Sequence, residues 1–332
     1  MKKLIILLSL LVVIGLGAGL TNAAEYNLKL QTYYPPTMIS GVQNLATNIE
    51  TMSNGRIKIT VFSGGELVAS PNMLKAVQGG MVDMVVGVGF YFSEIKLGNI
   101  EAGLPMAWQN GAEAEIIFDQ LGLREILASE YEKAGVHYVS ELYAAPYNIT
   151  TKQPAASIDD LSKMKLRSSG GAAKMFNKLG IATVSMPPED IYLGLSTGVV
   201  DGALYGGAFE YKTMKFTEVA KYYNTTSIVN PLVDNFIINQ KLWKKLPADL
   251  KAIINSAARQ ARWDYYNGVM GAEYEIRATD YAGKLTSFSA EDVTKLTSAA
   301  TTVWDEEAKK SPEAAEAVEL IKKLNKMMGR LK

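Results

Sequence analysis

LKAVQGGMVDMVVG, residues 74–87, and YLGLSTGVVDGALYG, residues 192–206, share one grammar: an apolar helical run, a glycine stop, then Val-Asp and a strand. Glycine just past the last periodic residue is where helices end. A unit used only twice is too few for a solenoid, which stacks at least three repeats. It points instead to two lobes built alike, one around each copy.

Around the first copy, YNLKLQTYY (26–34) alternates like a strand, MISGVQNLATNIETMSNG (38–55) is helical to a stop at Gly55, and RIKITVFS (56–63) returns to strand. A GGE turn, the helix SPNMLKAVQGG and the strand VDMVVGVG complete a βαβαβ pattern, so an α/β fold with mostly parallel strands is expected. VHYVSELYAA (136–145) reads as another strand. From Ser157 the grammar restarts: SIDDLSKM is a helical turn, KLRSS a strand end, GGAAKMFNKLG a helix, IATVSMP a strand, EDIYLGLSTG a helix and VVDGALYGG a strand. IVNPLVDNFIINQKLWKKL (228–246) adds a strand and a short helix. Residues 247–284 then run helically with no proline after Pro247, and at ~1.5 Å per residue such a helix reaches roughly 50 Å, enough to brace both lobes. SAEDVTKLTSAATTVWDEEAKK opens on a serine cap with Asp292 three residues on, and PEAAEAVELIKKLNKMMGRL is a last amphipathic helix. The expected division is 25–147 with 233–270 in lobe I, 148–232 in lobe II, and 271–332 as C-terminal helices packing on the lobes. No low-complexity linker separates the lobes, so crossing strands should join them.

The chain has 332 residues, 48% of them hydrophobic and 20% charged. Its start is set apart: Lys2 and Lys3, an apolar stretch from Leu4 to Leu20, and the small-residue exit Thr21-Asn22-Ala23 read as a secretory signal cleaved near Ala23 or Ala24. The apolar stretch is shorter than the ~20 residues a spanning helix needs. Removing residues 1–23 takes two of the 34 basic residues and none of the 34 acidic ones, leaving a net charge of −2. That balance argues against nucleic acid and against a polybasic membrane surface. There is no cysteine, hence no disulfide and no lipid-modified cysteine after the signal. A released periplasmic protein with a packed core is the expectation.

Catalysis finds little support. His137 is the one histidine and lies in a strand-like run; with no cysteine either, zinc sites and activated nucleophiles lack their usual parts. VVGVGFYF contains G-x-G without the third glycine of a dinucleotide fingerprint, and no Walker loop or G-x-S-x-G elbow occurs. Asp159-Asp160 and Glu189-Asp190 fall at helix starts, where capping accounts for them. Asn148 and Asn224 begin glycosylation-type triplets, read as chance in an exported bacterial chain. What remains is a binding site. Arg167 ends a strand where a loop opens a helix, the place where α/β sheets collect ligands. It either holds a carboxylate bidentately, with the N–H groups of Ser169 to Gly171 adding positive field, or pairs with a structural acid such as Asp160. Aromatics recur after strands: Tyr33 and Tyr34, Phe90, Tyr91 and Phe92, Tyr147, and Tyr205, a pattern of apolar pocket walls with polar tips. The expected ligand contacts are Arg167, Tyr205, Tyr147, Phe90, Tyr91 and Tyr34, together with Asn235 of the 228–246 strand.

DLSKMKLRSSGG (160–171), LGIATVSMPPEDIYLGLSTGVVDGA (179–203) and YKTMKFTEVAKYY (211–223), with FSGGEL (62–67) near the start, resemble the DctP-type solute receptors of tripartite ATP-independent periplasmic (TRAP) transporters. The resemblance covers essentially the whole chain after the signal. It implies the two-lobed periplasmic binding protein fold, α/β with crossing strands and a long bracing helix. It also implies that Arg167 binds a substrate carboxylate, and that the small and large integral membrane subunits of such a transporter are the partners. FSGGELV and VGVGFYF look most like the branch that binds 2-oxo acids and related monocarboxylates. In that branch a Glu-aromatic pair after the second Val-Asp motif and a Gln before the crossover strand help hold a metal ion. Here Leu204-Tyr205 and Pro146 stand at those places, so no metal and no other cofactor is expected. The ligand expected is an organic acid with one carboxylate and an apolar or aromatic body. No long swapped C-terminal helix follows Lys332, which leans toward a monomer. A receptor for an ATP-driven importer or a sensor kinase, a C4-dicarboxylate receptor, and, more distantly, a periplasmic enzyme on the same scaffold are the competing readings.

Overall fold

The computed structural model describes residues 24–186 and 188–331, so the expected signal, residues 1–23, lies outside the described residues. Two mixed sheets form two lobes. The first holds β1 (Tyr26–Thr32), β2 (Ile57–Phe62), β3 (Met84–Gly87), β4 (Val136–Tyr143) and β10 (Val233–Asn239) in the order β2-β1-β3-β10-β4. The second holds β5 (Ile149–Thr151), β6 (Lys165–Arg167), β7 (Ala182–Val184), β8 (Gly202–Leu204), β9 (Tyr222–Asn224) and β11 (Leu285–Thr286) in the order β11-β9-β5-β8-β6-β7.

Both Val-Asp units behave alike. The helix Met73–Gly79 ends at Gly80 in the left-handed region and delivers β3, and the helix Pro188–Thr197 ends before Gly198, also left-handed, and delivers β8. β1 runs parallel to β2 and β3, and β6 runs parallel to β7 and β8. Parallel pairing holds for these βαβ halves and for the short β11–β9 pair, and the strands nearest the lobe crossing run otherwise. β10 arrives from the other lobe and inserts antiparallel between β3 and β4, while β5 is antiparallel to β8 and β9. A strand that crosses between lobes enters each sheet from the far end, which reverses its direction. β11 is a further difference, since the stretch 271–332 reads as helices only; its two residues pair with Tyr223 and Asn224 and are too short to show a period.

The lobes are joined as two adjacent strands. Between β4 and β5, and again between β9 and β10, the chain passes from one sheet to the other, and the passages bond to each other: Tyr147 N–H to Val229 C=O at 2.7 Å, Ile228 N–H to Tyr147 C=O at 2.8 Å, and Leu232 N–H to Ala145 C=O at 3.1 Å. The long helix spans Ala248–Thr279, whose 32 residues reach ~48 Å at 1.5 Å per residue. Near its middle Arg262 is held by Glu115, Asp119 and Glu141 of lobe I. Toward its end the Glu273 carboxylate accepts from the Ala208 and Phe209 N–H groups and from the Tyr223 hydroxyl of lobe II. One rigid element therefore grips both lobes. The helices Ala290–Ala308 and Pro312–Met327 add a second brace: Trp304 donates to the Pro105 carbonyl of lobe I, while Lys178 of lobe II pairs with Glu306.

Candidate functional site

β6, β7 and β8 lie side by side and parallel, so Arg167, Val184 and Leu204 finish at one edge of the second sheet. This is the crevice beyond the carboxyl ends of strands. Across from it stand the turn Gly89–Tyr91, which follows β3, and the helix Gly98–Gly103. A Cβ on Gly98 would sit 2.1 Å from the Gly89 carbonyl oxygen, and one on Gly89 would sit 2.2 Å from a Glu101 carboxylate oxygen. The second glycine of the G-x-G in VVGVGFYF thus serves a backbone-to-backbone contact that locks the turn carrying Phe90 and Tyr91 onto the helix carrying Asn99. Between the two edges lies a cavity of about 520 Å³. Lobe I lines it with Phe90, Tyr91, Asn99 and Leu104, lobe II with Arg167, Ser169 to Ala172, Ser185, Met186, Leu204 and Tyr205, and the crossing strands with Tyr147, Val229 and Leu232.

Arg167 is 8% exposed. Its Nε and Nη2 donate to the Met186 carbonyl at 3.2 and 3.0 Å, and Nη1 donates to the Leu204 carbonyl at 3.0 Å. Three of the five N–H bonds are thereby fixed on neutral oxygens, and two remain. The guanidinium carbon lies 5.4 Å from the centre of the Tyr205 ring, which aligns the fork further. Among the described residues no carboxylate pairs with Arg167. The alternative partner, Asp160, is engaged elsewhere: its carboxylate accepts from the Ala156 and Ser157 N–H groups and the Ser157 hydroxyl in a capping box. Beside Arg167 the helix Gly170–Lys178 begins, with no side chain capping its first turn. Its free N–H groups add partial positive charge to the same corner of the cavity.

Of the seven residues expected to contact ligand, five come together: Arg167, Tyr205, Tyr147, Phe90 and Tyr91. Tyr147 and Tyr205 face each other at 6.5 Å between ring centres, and Phe90 meets Tyr91 edge to face at 4.7 Å. Tyr34 and Asn235 do not line this cavity. Tyr34 is 5% exposed within the lobe I core, and its hydroxyl donates to Asp234, as does that of Tyr33 at 2.9 Å. Burial pushes the Asp234 carboxyl up to about 7 against the pull of these two hydroxyls. Asn235 sits in the central strand β10, where its amide donates to Tyr131 at 2.9 Å and to Glu101 at 3.2 Å. Glu101, fully enclosed on the inner face of the cavity-lining helix, is pushed by burial up to about 8 and so stays neutral at pH 7. Alternate residues of a strand face opposite sides, and closeness in sequence to a strand end does not say which side is the cleft.

Asn99, Ser185 and Met186 escaped the sequence reading. Asn99 belongs to residues 93–135, which pack as short helices with no sustained period. The carbonyls that orient Arg167 carry no side-chain signature at all. Other sequence features resolve into structural roles. His137 stacks on Trp243 at 4.1 Å, and burial lowers its pKa. Asn148 and Asn224 are buried, with their amides bonded to the Asn224 and Ala155 carbonyls, so neither presents a glycosylation acceptor. Glu115, Asp119 and Glu141 are close enough to share a cation, but Arg262 and Arg124 already reach into them. Pro146 and Leu204, at the places where a metal-binding branch was expected to carry Gln and Glu, offer no side-chain ligand.

The family description "Bacterial extracellular solute-binding protein, family 7" (DctP) matches residues 35–311. The chain is similar to the monocarboxylate 2-oxoacid-binding periplasmic protein of Nostoc sp., 25% identical over 313 residues that cover 88% of this chain and 81% of that protein. It is also similar to the C4-dicarboxylate-binding periplasmic protein DctP of Rhodobacter capsulatus, 28% identical over 262 residues, covering 77% and 76%. Its fold superimposes with a TM-score of 0.82 on the crystal structure of a TRAP periplasmic solute-binding protein from Chromohalobacter salexigens with bound (S)-(+)-2-amino-1-propanol. That match is 27% identical and covers 92% of this chain and 96% of the other.

Proposed function

The chain belongs to the DctP family of bacterial extracellular solute-binding proteins, and on that premise we propose that it is the periplasmic receptor of a TRAP transporter for a monocarboxylate, a 2-oxo acid included, with an apolar or aromatic body. One observation carries the reading: a guanidinium more than nine-tenths buried, tethered only to carbonyl oxygens, faces a cavity that holds no compensating acid among its described lining residues. A buried cation without an anion is costly. A carboxylate would complete it, taking the two remaining N–H donors and the helix N-terminus together.

Among the described lining residues Arg167 is the one charged side chain, so a second carboxylate would find no guanidinium to meet it. This favours a monocarboxylate over a C4-dicarboxylate. Phe90, Tyr91, Tyr147, Leu104 and Leu232 would take the body of the acid out of water. After export and signal cleavage the acid would enter between the lobes, its carboxylate would dock on lobe II, and the lobe I aromatics would close over it about the crossing strands at Tyr147 and Val229. The closed form is favoured only by the contacts that the ligand adds. It would then be presented to the small and large membrane subunits, with no turnover chemistry in the receptor. The test is mass spectrometry of acids carried through purification, followed by calorimetry of the acid found on wild type and Arg167→Ala. Equal affinity for the two proteins overturns the reading.

A further inference from the structure

Asn99 is the polar side chain that lobe I contributes to the cavity apart from its tyrosine, and its amide is not free to turn. Its Nδ2 donates at 3.2 Å to Glu307, whose side chain is wholly buried on the helix Ala290–Ala308. The same carboxylate pairs with Lys174 of lobe II at 3.4 Å and with Lys310 at 2.5 Å. A carboxylate held between two lysines can only accept hydrogen bonds. The amide of Asn99 must therefore give Glu307 its NH₂ end, and its carbonyl Oδ1 is left as an acceptor, with no donor on it among the described residues. The other two short polar side chains of the cavity, Ser169 and Ser185, face each other at 3.3 Å.

We propose that Asn99 is a specificity-determining residue, its Oδ1 held by Glu307 to accept a hydrogen bond from a hydroxyl or neutral N–H on the body of the ligand. The inference rests on the carboxylate reading of Arg167 and narrows it. The two lobes then read opposite polarity: lobe II supplies donors and positive charge for the acid group, lobe I a fixed acceptor for a donor elsewhere on the molecule. A keto oxygen at the Asn99 end would meet another acceptor and be disfavoured, so a 2-oxo group is compatible only beside Arg167. Glu307 is a positioning residue. It touches no ligand, and it ties the amide orientation to Lys174 of the opposite lobe.

The experiment is calorimetry of the full mature chain with three matched pairs whose hydroxyl lies away from the carboxylate: phenylacetate and 4-hydroxyphenylacetate, 3-phenylpropanoate and 3-(4-hydroxyphenyl)propanoate, hexanoate and 6-hydroxyhexanoate. In wild type the hydroxylated member of at least one pair should bind about tenfold more tightly than its plain partner. Asn99→Leu, or Asn99→Ala if the leucine variant does not fold, should abolish that preference, read as the ratio of the two affinities within a pair. Glu307→Gln, whose own NH₂ can donate to Oδ1 and so let the Asn99 amide turn, should erase or reverse it. No preference in any pair for wild type, or a preference that survives in the Asn99 variants, overturns the proposal. Arg167→Ala separates the two readings: loss of both members of a pair leaves the carboxylate reading standing whatever Asn99 does, and unchanged binding of both overturns that reading instead.

Discussion

Two cavities of the same size, about 520 Å³ each, lie against both lobes, and only one of them looks built for a ligand. The cleft is made where three parallel strands end, and it holds a buried guanidinium among aromatic walls. The second lies between the helix Ser40–Met52, the long helix and Phe209, and its polar residues Asn44, Gln260 and Asp264 stand exposed on helix flanks. Those groups are already solvated, so nothing is gained by bringing them a partner. Arg167 is buried, and no carboxylate among the described residues pairs with it. On the reading proposed above, volume does not mark the site; a buried cation with no carboxylate partner among the described residues, at the end of a sheet, does.

The most forceful way to break the contrast is Arg167→Ala, expected to weaken binding of the copurified acid by about 2 kcal/mol or more, roughly thirtyfold. Arg167→Lys keeps the charge but loses the fork and its tethers to Met186 and Leu204, and should still lose about tenfold, since a point charge does not replace a planar fork. The buried acids near the cleft sharpen the contrast through stability. Glu101, raised to about 8, and Asp234, raised to about 7, hold protons in the folded chain that the unfolded chain has released. Between about pH 5 and pH 8 the native state therefore binds more protons than the unfolded one, and these groups make stability fall as pH rises, by at least ~1 kcal/mol. Thermal unfolding across that range should show the decline in wild type and a flatter profile in Glu101→Gln, which can still accept from Tyr131 and Asn235; an unchanged slope in the variant would refute the assignment to Glu101. Phe90→Ala, removing a wall that is 41% exposed without ligand, should cost about 1 kcal/mol, near fivefold in affinity. Smallest of all, Asp264→Ala in the second cavity should change affinity for the same acid by less than about twofold, as for an exposed residue with no ligand contact; a larger loss by calorimetry would make that cavity part of the site.

Much of the cleft was legible in the chain because its parts announce themselves locally. Arg167 followed by Ser-Ser-Gly-Gly marks a strand end opening a helix, and the aromatics after β3 and β8 stand at the same point of a repeated unit. Tyr34, an aromatic just after β1, obeyed the same local rule and yet points to Asp234, while Asn235, inside β10, turns to Glu101 and Tyr131, because the facing of a strand side chain is set by what packs against the sheet. Asn99 gave the opposite case. It sits in a helix of six residues without a period, and its role arises only when Glu307, more than two hundred residues later, closes on its amide.

What the sequence determined by itself is the α/β grammar, its doubling into two lobes, the long proline-free helix, and Arg167 at the mouth of a helix. Each follows from period, glycine stops and charge within a few residues, forces that act over one or two turns of chain. The tertiary structure decided the direction in which β10 enters its sheet, the side to which each aromatic faces, the freedom of Arg167 from Asp160, and the orientation of the Asn99 amide. Those depend on burial and on partners brought from distant parts of the chain, where the cost of an unmatched polar group selects one arrangement among several that local sequence permits.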